Sequence, residues 1–115
     1  SKWNPESLEA KFNLADNEWF LPMPELEVPA AASLSQPIKI PFIYQPECGE
    51  QRFEVWVDEP AKQVYVAHIT SDKPAICGGI VMPPRRTERS FTPQVTGTYR
   101  VTTVISSHSY AVDVQ

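Results

Sequence analysis

Glycine is scarce, four residues in 115, and no glycine-rich run is available to cradle a phosphate. Histidine and cysteine are scarcer still: His68, His108, Cys48 and Cys77 are the only ones. Two cysteines 29 positions apart cannot build a structural zinc site without two further ligands. The longest stretch without charge, residues 28–38, contains Ser, Gln and Pro and falls short of the roughly 20 apolar residues of a membrane-spanning helix. Asn4, Asn13 and Asn17 all fail the Asn-x-Ser/Thr pattern, so a glycosylated surface role has no acceptor. A net charge of −4 and a pI near 5.1 argue against non-specific binding of nucleic acid. No carboxylate pair sits at helical or strand spacing beside a cleft-forming element, so acid–base catalysis has no candidate.

What is plentiful is proline, 12 residues spread along the chain, which leaves little room for long helices. Between the cysteines, residues 52–58 and 63–69 alternate in hydrophobicity with the period of a strand. The connector Glu59-Pro60-Ala61-Lys62 suits a type I turn, with proline pre-set at its second position. With Glu59 opposite Lys62, Val57 faces Val64, Val55 faces Val66 and Phe53 faces His68 on one side. Trp56–Tyr65 and Glu54–Ala67 fall on the other, and a slip of one residue would mix the faces. Cys48 and Cys77 then arrive together at the open end, where a disulfide is expected. An even cysteine count in a strand-rich chain favours an oxidising compartment: bacterial periplasm, cell surface or secretion. The chain begins with Ser1; a leader removed upstream, with a lipobox cysteine in it, would make a membrane-tethered lipoprotein.

Residues 1–24 are expected to form a helical arm on the domain of residues 25–115. Asn4 suits an N-cap, Pro5 the first helical position, and Trp3 with Leu8 a hydrophobic staple, giving a helix of about two turns through Asn13. The following run, residues 18–24, is aromatic and broken by proline, which predicts an extended or polyproline-like segment. Trp19 and Phe20 within it are too large to leave in water; they cover an edge or face of the domain, or reach a second protein.

From Leu26 onward seven short strands are predicted: 26–31, 38–44, the two hairpin strands, 87–92, 99–105 and 110–114. Turn signals about every ten residues predict an all-β antiparallel sandwich or small barrel. Gly97-Thr98-Tyr99-Arg100-Val101 resembles the tyrosine corner of immunoglobulin-like domains, and Trp56 resembles their core tryptophan. The resemblance covers residues 38–114 and implies an immunoglobulin-like β-sandwich. The usual inter-sheet cysteines are absent, with Val101 two positions after the tyrosine. Such a likeness carries an architecture and no activity.

His108 lies in the serine-rich turn 106–109 with Asp113 near in sequence, but turn residues point into water, where no pocket supports a triad. His68, opposite Phe53, is expected to be a partly buried histidine bonded through one nitrogen. His68, Cys77, Met82 and His108 are ligand types of blue copper, yet their order departs from cupredoxins, whose Cys, second His and Met crowd one short loop. No cofactor or metal is expected. The segment 77–89 remains: stiffened by Pro83-Pro84, carrying Met82, and crowned by Arg85, Arg86 and Arg89, which can grip carboxylates bidentately. Residues 1–60 carry eleven acids and four bases and residues 61–115 three acids and six bases, a polarity that suits docking on a charged partner or weak head-to-tail association. The sequence therefore predicts a non-catalytic domain of the bacterial cell envelope that binds an unidentified protein as a monomer or weak homo-oligomer. An inhibitor of an extracellular hydrolase acting through residues 77–89 is the alternative.

Overall fold

The computed structural model describes residues 2–72, 79, 81–106 and 108–115. Among them the elements run α1 (Leu8–Lys11), β1 (Glu18–Leu21), β2 (Ala31–Ala32), β3 (Ile38–Tyr44), β4 (Gln51–Asp58), β5 (Gln63–Ser71), β6 (Arg85–Phe91), β7 (Gly97–Thr103) and β8 (Ser109–Val114). The eight strands form two sheets, so the protein is nearly all β, as the spacing of turn signals predicts.

The hairpin β4–β5 takes the register expected from its alternation, with Val57 opposite Val64, Val55 opposite Val66, Phe53 opposite His68 and Trp56 opposite Tyr65. Lys62 closes the turn, its N–H donating to Glu59 O at 3.1 Å and its φ of 52° reversing the chain. β4 occupies one edge of β5 over its whole length. On the other edge β1 pairs antiparallel with residues 68–71 and β7 pairs parallel with residues 63–66, end to end. β8 continues the sheet antiparallel to β7, and β2 adds two residues in parallel. The second sheet is only β3 and β6, antiparallel over seven residue pairs.

The pairings β5–β7 and β2–β8 correct the expectation of a purely antiparallel sandwich. Local alternation fixes which face a strand buries, but not which distant strand lies beside it; β5 accepts β7 in parallel because a long excursion through β6 separates them. The sandwich also has one strand more than expected, since residues 18–21 pair with β5 instead of remaining polyproline-like.

The main core fills the space between the sheets with Ile38, Ile40, Phe42, Phe53, Val64, Val66, Phe91, Tyr99, Val101, Val112 and Val114. A second cluster lies on the outer face of the large sheet, where Phe12 and Leu14 cover Ala67, Ile69 and Val104, with Phe20, Trp56 and Tyr65 half-buried around them. That is why β5 is buried on both faces over residues 66–70. Trp56 belongs to this outer cluster rather than the inter-sheet core: it alternates away from Val55 and Val57, stacks on Tyr65 at 6.1 Å and carries Lys11 Nζ 4.6 Å above its ring.

The helix begins later than predicted. Asn4 Oδ1 accepts from Glu6 N–H at 2.9 Å, closing a turn over Pro5, and Ser7 becomes the N-cap by accepting from Ala10 N–H. The helix ends in a Schellman motif. Asn13 adopts φ 54°, its N–H bonds Ala10 O at 3.0 Å, and Leu14 N–H reaches Glu9 O at 2.9 Å. Trp3 Nε1 donates to Leu14 O at 3.0 Å, folding the arm's start onto its end.

Beyond β1 the arm turns inward and joins the sheets along one side. Met23 N–H donates to Ser106 Oγ, Leu26 N–H to Tyr110 Oη at 3.0 Å and Glu27 N–H to Pro41 O at 3.0 Å, while Met23 and Leu26 enter the core. On the opposite side Arg89 Nε donates to Phe53 O at 2.8 Å, bridging β6 to β4.

Candidate functional site

β6 alternates, and its alternation sets Arg85 and Arg89 on one facing and Arg86 on the other. Arg89 shares its facing with Thr87 and Phe91, and its guanidinium lies 5.7 Å over the Phe53 ring and donates to Phe53 O and Glu88 O. It is a half-buried tie between strands, which corrects its expected place in a binding loop. Arg85 and Arg86 lie in β6 itself rather than in a loop, because residues 85 and 86 find strand partners in Tyr44 and Ile43. Arg86 pairs with Glu27 at 2.8 Å with both side chains more than half exposed, a geometry of little energetic weight. Arg85 is exposed and forms no hydrogen bond or ion pair among the described residues.

The outer face of β3–β6 is exposed at Lys39, Ile43, Arg86, Glu88 and Ser90. Pro41 and Ile43 alternate outward from the buried Ile40 and Phe42, and Ile43 remains 55% exposed, opposite Arg86. Met82 lies just ahead of β6, exposed, with its carbonyl accepting from the Gln45 amide. Met82, Arg85 and Arg86 therefore meet Ile43 and Tyr44 at one end of the small sheet. Trp19 and Phe20 do not join them: they sit on β1 in the large sheet. Trp19 is 45% exposed, whereas Phe20 is half-buried and packs edge-on against Phe12 at 5.7 Å.

At that same end a cleft of about 210 Å³ opens between the arm and β3, lined by Pro22, Met23, Pro24, Ile43, Tyr44, Gln45, Glu47 and His68. Its floor is an aromatic stack: Tyr44 lies 4.8 Å from Phe53, and Phe53 lies 4.5 Å from the His68 ring. His68 is buried and both ring nitrogens are engaged, one with Gln51 Nε2 at 2.9 Å and the other with the Pro22 carbonyl. Burial pushes the His68 pKa down, against smaller upward pulls from the Pro22 carbonyl and the Glu47 charge. The neutral ring, with one donor and one acceptor, satisfies both partners. Sequence reasoning found His68 and its partner Phe53 but missed the cleft, since Pro22–Pro24 approach from 40 residues away in the chain. His108 uses its backbone, donating to Thr103 Oγ1 at 2.9 Å and accepting from Thr103 N–H.

Tyr99 lies fully buried, with its hydroxyl accepting from Val95 N–H at 3.4 Å and donating to the Glu59 carboxylate, with Val95 O also 3.2 Å away. Burial, reinforced by Glu59, raises its pKa. Glu59 stands in the β4–β5 turn, so one hydroxyl ties that turn to the loop before β7.

Cys77 lies outside the described residues, and so does its expected pairing with Cys48. Cys48 itself is three residues ahead of β4, where Thr70 Oγ1 donates to Glu50 O at 2.9 Å and holds the hairpin mouth together. Comparison with protein-family models, with curated proteins and with solved structures finds no match for this chain.

Proposed function

We propose that this chain is a non-catalytic, extracytoplasmic binding domain of the bacterial cell envelope that docks a partner protein on the bare β3–β6 face. The observation that carries the reading is Ile43, 55% exposed one residue before the end of β3 and opposite Arg86, with Arg85 and Met82 at the same end of the sheet. An apolar anchor beside two exposed arginines, one of them in a solvent-exposed pair with Glu27, has the composition of interface centres. The adjoining cleft, apolar with few polar groups, offers a socket for one partner side chain. Its only histidine has both nitrogens committed, which favours binding over proton transfer. The tyrosine-corner geometry at Tyr99 supports an immunoglobulin-like ancestry for the sandwich. A Cys48–Cys77 disulfide would brace the approach to β6 and fits the same compartment; thiol titration of native protein finding two free sulfhydryls would remove it.

The test is capture of a specific envelope protein by wild type and by Arg85→Glu/Arg86→Glu. Capture lost in the variant supports the face, and unchanged capture counts against it. A second reading, inhibition of an extracellular hydrolase, is favoured by Val81, 87% exposed ahead of the stiff Pro83-Pro84 pair. It predicts stoichiometric inhibition of some protease or lysozyme, and a broad panel without inhibition removes it.

A further inference from the structure

β4 is an eight-residue strand with one edge that pairs with no strand among the described residues. The direction of that edge follows from its neighbours: Val66 O accepts from Val104 N–H and Lys62 O from Arg100 N–H, so even-numbered residues of β5 turn toward β7. Odd-numbered residues of β5 then bond β4, and their opposite numbers there are the even ones, Arg52, Glu54, Trp56 and Asp58. The N–H and C=O of Gln51, Phe53, Val55 and Val57 consequently point away from the sheet. Arg89 Nε occupies one lone pair of Phe53 O, which agrees with that direction. The main-chain groups of Val55 and Val57 have no partner among the described residues. Edges of this kind accept another strand unless something blocks them; β4 carries no proline or bulge, and β6 reaches the edge through Arg89 at Phe53, leaving Val55 and Val57 without a main-chain partner on that side among the described residues.

We infer that β4 pairs antiparallel with β4 of a second copy of this chain, about a two-fold axis through Val55. Only outward-pointing residues can bond across such an edge, so the permitted registers differ by two residues. With Val55 opposite itself, Phe53 bonds Val57 of the second copy, and Arg52 stands opposite Asp58 of the second copy, twice by symmetry. A shift in one direction sets Glu54 against Glu54; a shift in the other sets Glu54 against Asp58, twice. The charges on β4 therefore favour this register over its two neighbours, with Arg52 also held within its own chain by Glu18 at 3.0 Å and Glu54 at 3.4 Å. On the core-facing side the same register stacks Val55 on Val55 and Phe53 on Val57, extending the inter-sheet apolar layer. The contact is isologous and closes at two copies.

Sedimentation velocity of the full chain, up to about 1 mM, reads the association. The expected result is a concentration-dependent dimer. Val55→Pro removes an N–H that β5 does not use, so the hairpin survives by circular dichroism while association weakens about tenfold or more. Arg52→Glu and Asp58→Arg each set like charges opposite one another and weaken self-association about tenfold, whereas an equimolar mixture of the two restores a heterodimer. A monomer at every concentration overturns the proposal. So does a dimer indifferent to Val55→Pro, or a mixture no tighter than either variant alone. The face proposed for partner binding is untouched by these variants, so capture by that face stands or falls separately.

Discussion

The two sheets treat their outer faces in opposite ways. The large sheet is roofed: Phe12 and Leu14 close over Ala67, Ile69 and Val104, and Phe20, Trp56 and Tyr65 fill the margins. The small sheet has no such roof among the described residues, and Ile43 stays 55% exposed. The chain supplies aromatic residues freely to the first face and, among the described residues, Lys39, Pro41, Ile43, Arg86, Glu88 and Ser90 to the second. An isolated exposed isoleucine means little. An isoleucine at the mouth of a cleft, opposite an arginine paired with Glu27 and near one without a side-chain partner among the described residues, is the feature on which the proposed docking face rests.

That contrast is open to measurement, and the largest effect belongs to the roof. Phe12→Ala removes a buried ring that packs on Phe20, and should cost about 3–5 kcal/mol by urea unfolding. A loss below about 1 kcal/mol would mean the arm merely rests on the sheet. Tyr99→Phe deletes the hydroxyl shared by Val95 and Glu59 and should cost about 1–3 kcal/mol, because Val95 N–H and the Glu59 carboxylate lose a buried partner.

A pH effect comes next. The folded-state pKa of His68 is depressed below its ordinary 6.5, so the unfolded chain binds the proton more readily. Stability linked to His68 is therefore complete above about pH 6.5 and declines as pH falls from there through the lower folded value. His68→Gln should flatten the unfolding midpoint across that window; an unchanged slope would show that other groups dominate. The smallest effect is on the bare face, where Ile43→Asp should alter stability by no more than about 0.5 kcal/mol.

The hairpin was legible because its information is local. Period-two alternation, a proline-led turn and two cross-strand sets of like character specify register without reference to the rest of the chain. β3 was legible for the same reason, since Ile38, Ile40 and Phe42 alternate inward in spite of Pro41. The parallel neighbour of β5 was not, because nothing in residues 97–103 marks which distant strand they meet. Arg89 was misread since a cluster of three arginines looks alike in sequence whatever its members touch; parity sets Arg86 apart, and only the bond to the Phe53 carbonyl sets Arg89 apart from Arg85. The helix start moved because Ser7 competes with Asn4 for the capping role, and both satisfy the same local rule. The cleft was invisible for want of any signal linking Pro22–Pro24 to β3. Such a contact depends on how the arm returns from the outer cluster, which is set by Trp3, the Schellman turn and the bond between Met23 and Ser106.

The most direct measurement is partner capture by Ile43→Asp, with its unfolding midpoint as the control for folding. The bare-face account predicts a midpoint like wild type and capture abolished. Capture at the wild-type level by a folded Ile43→Asp protein would contradict it.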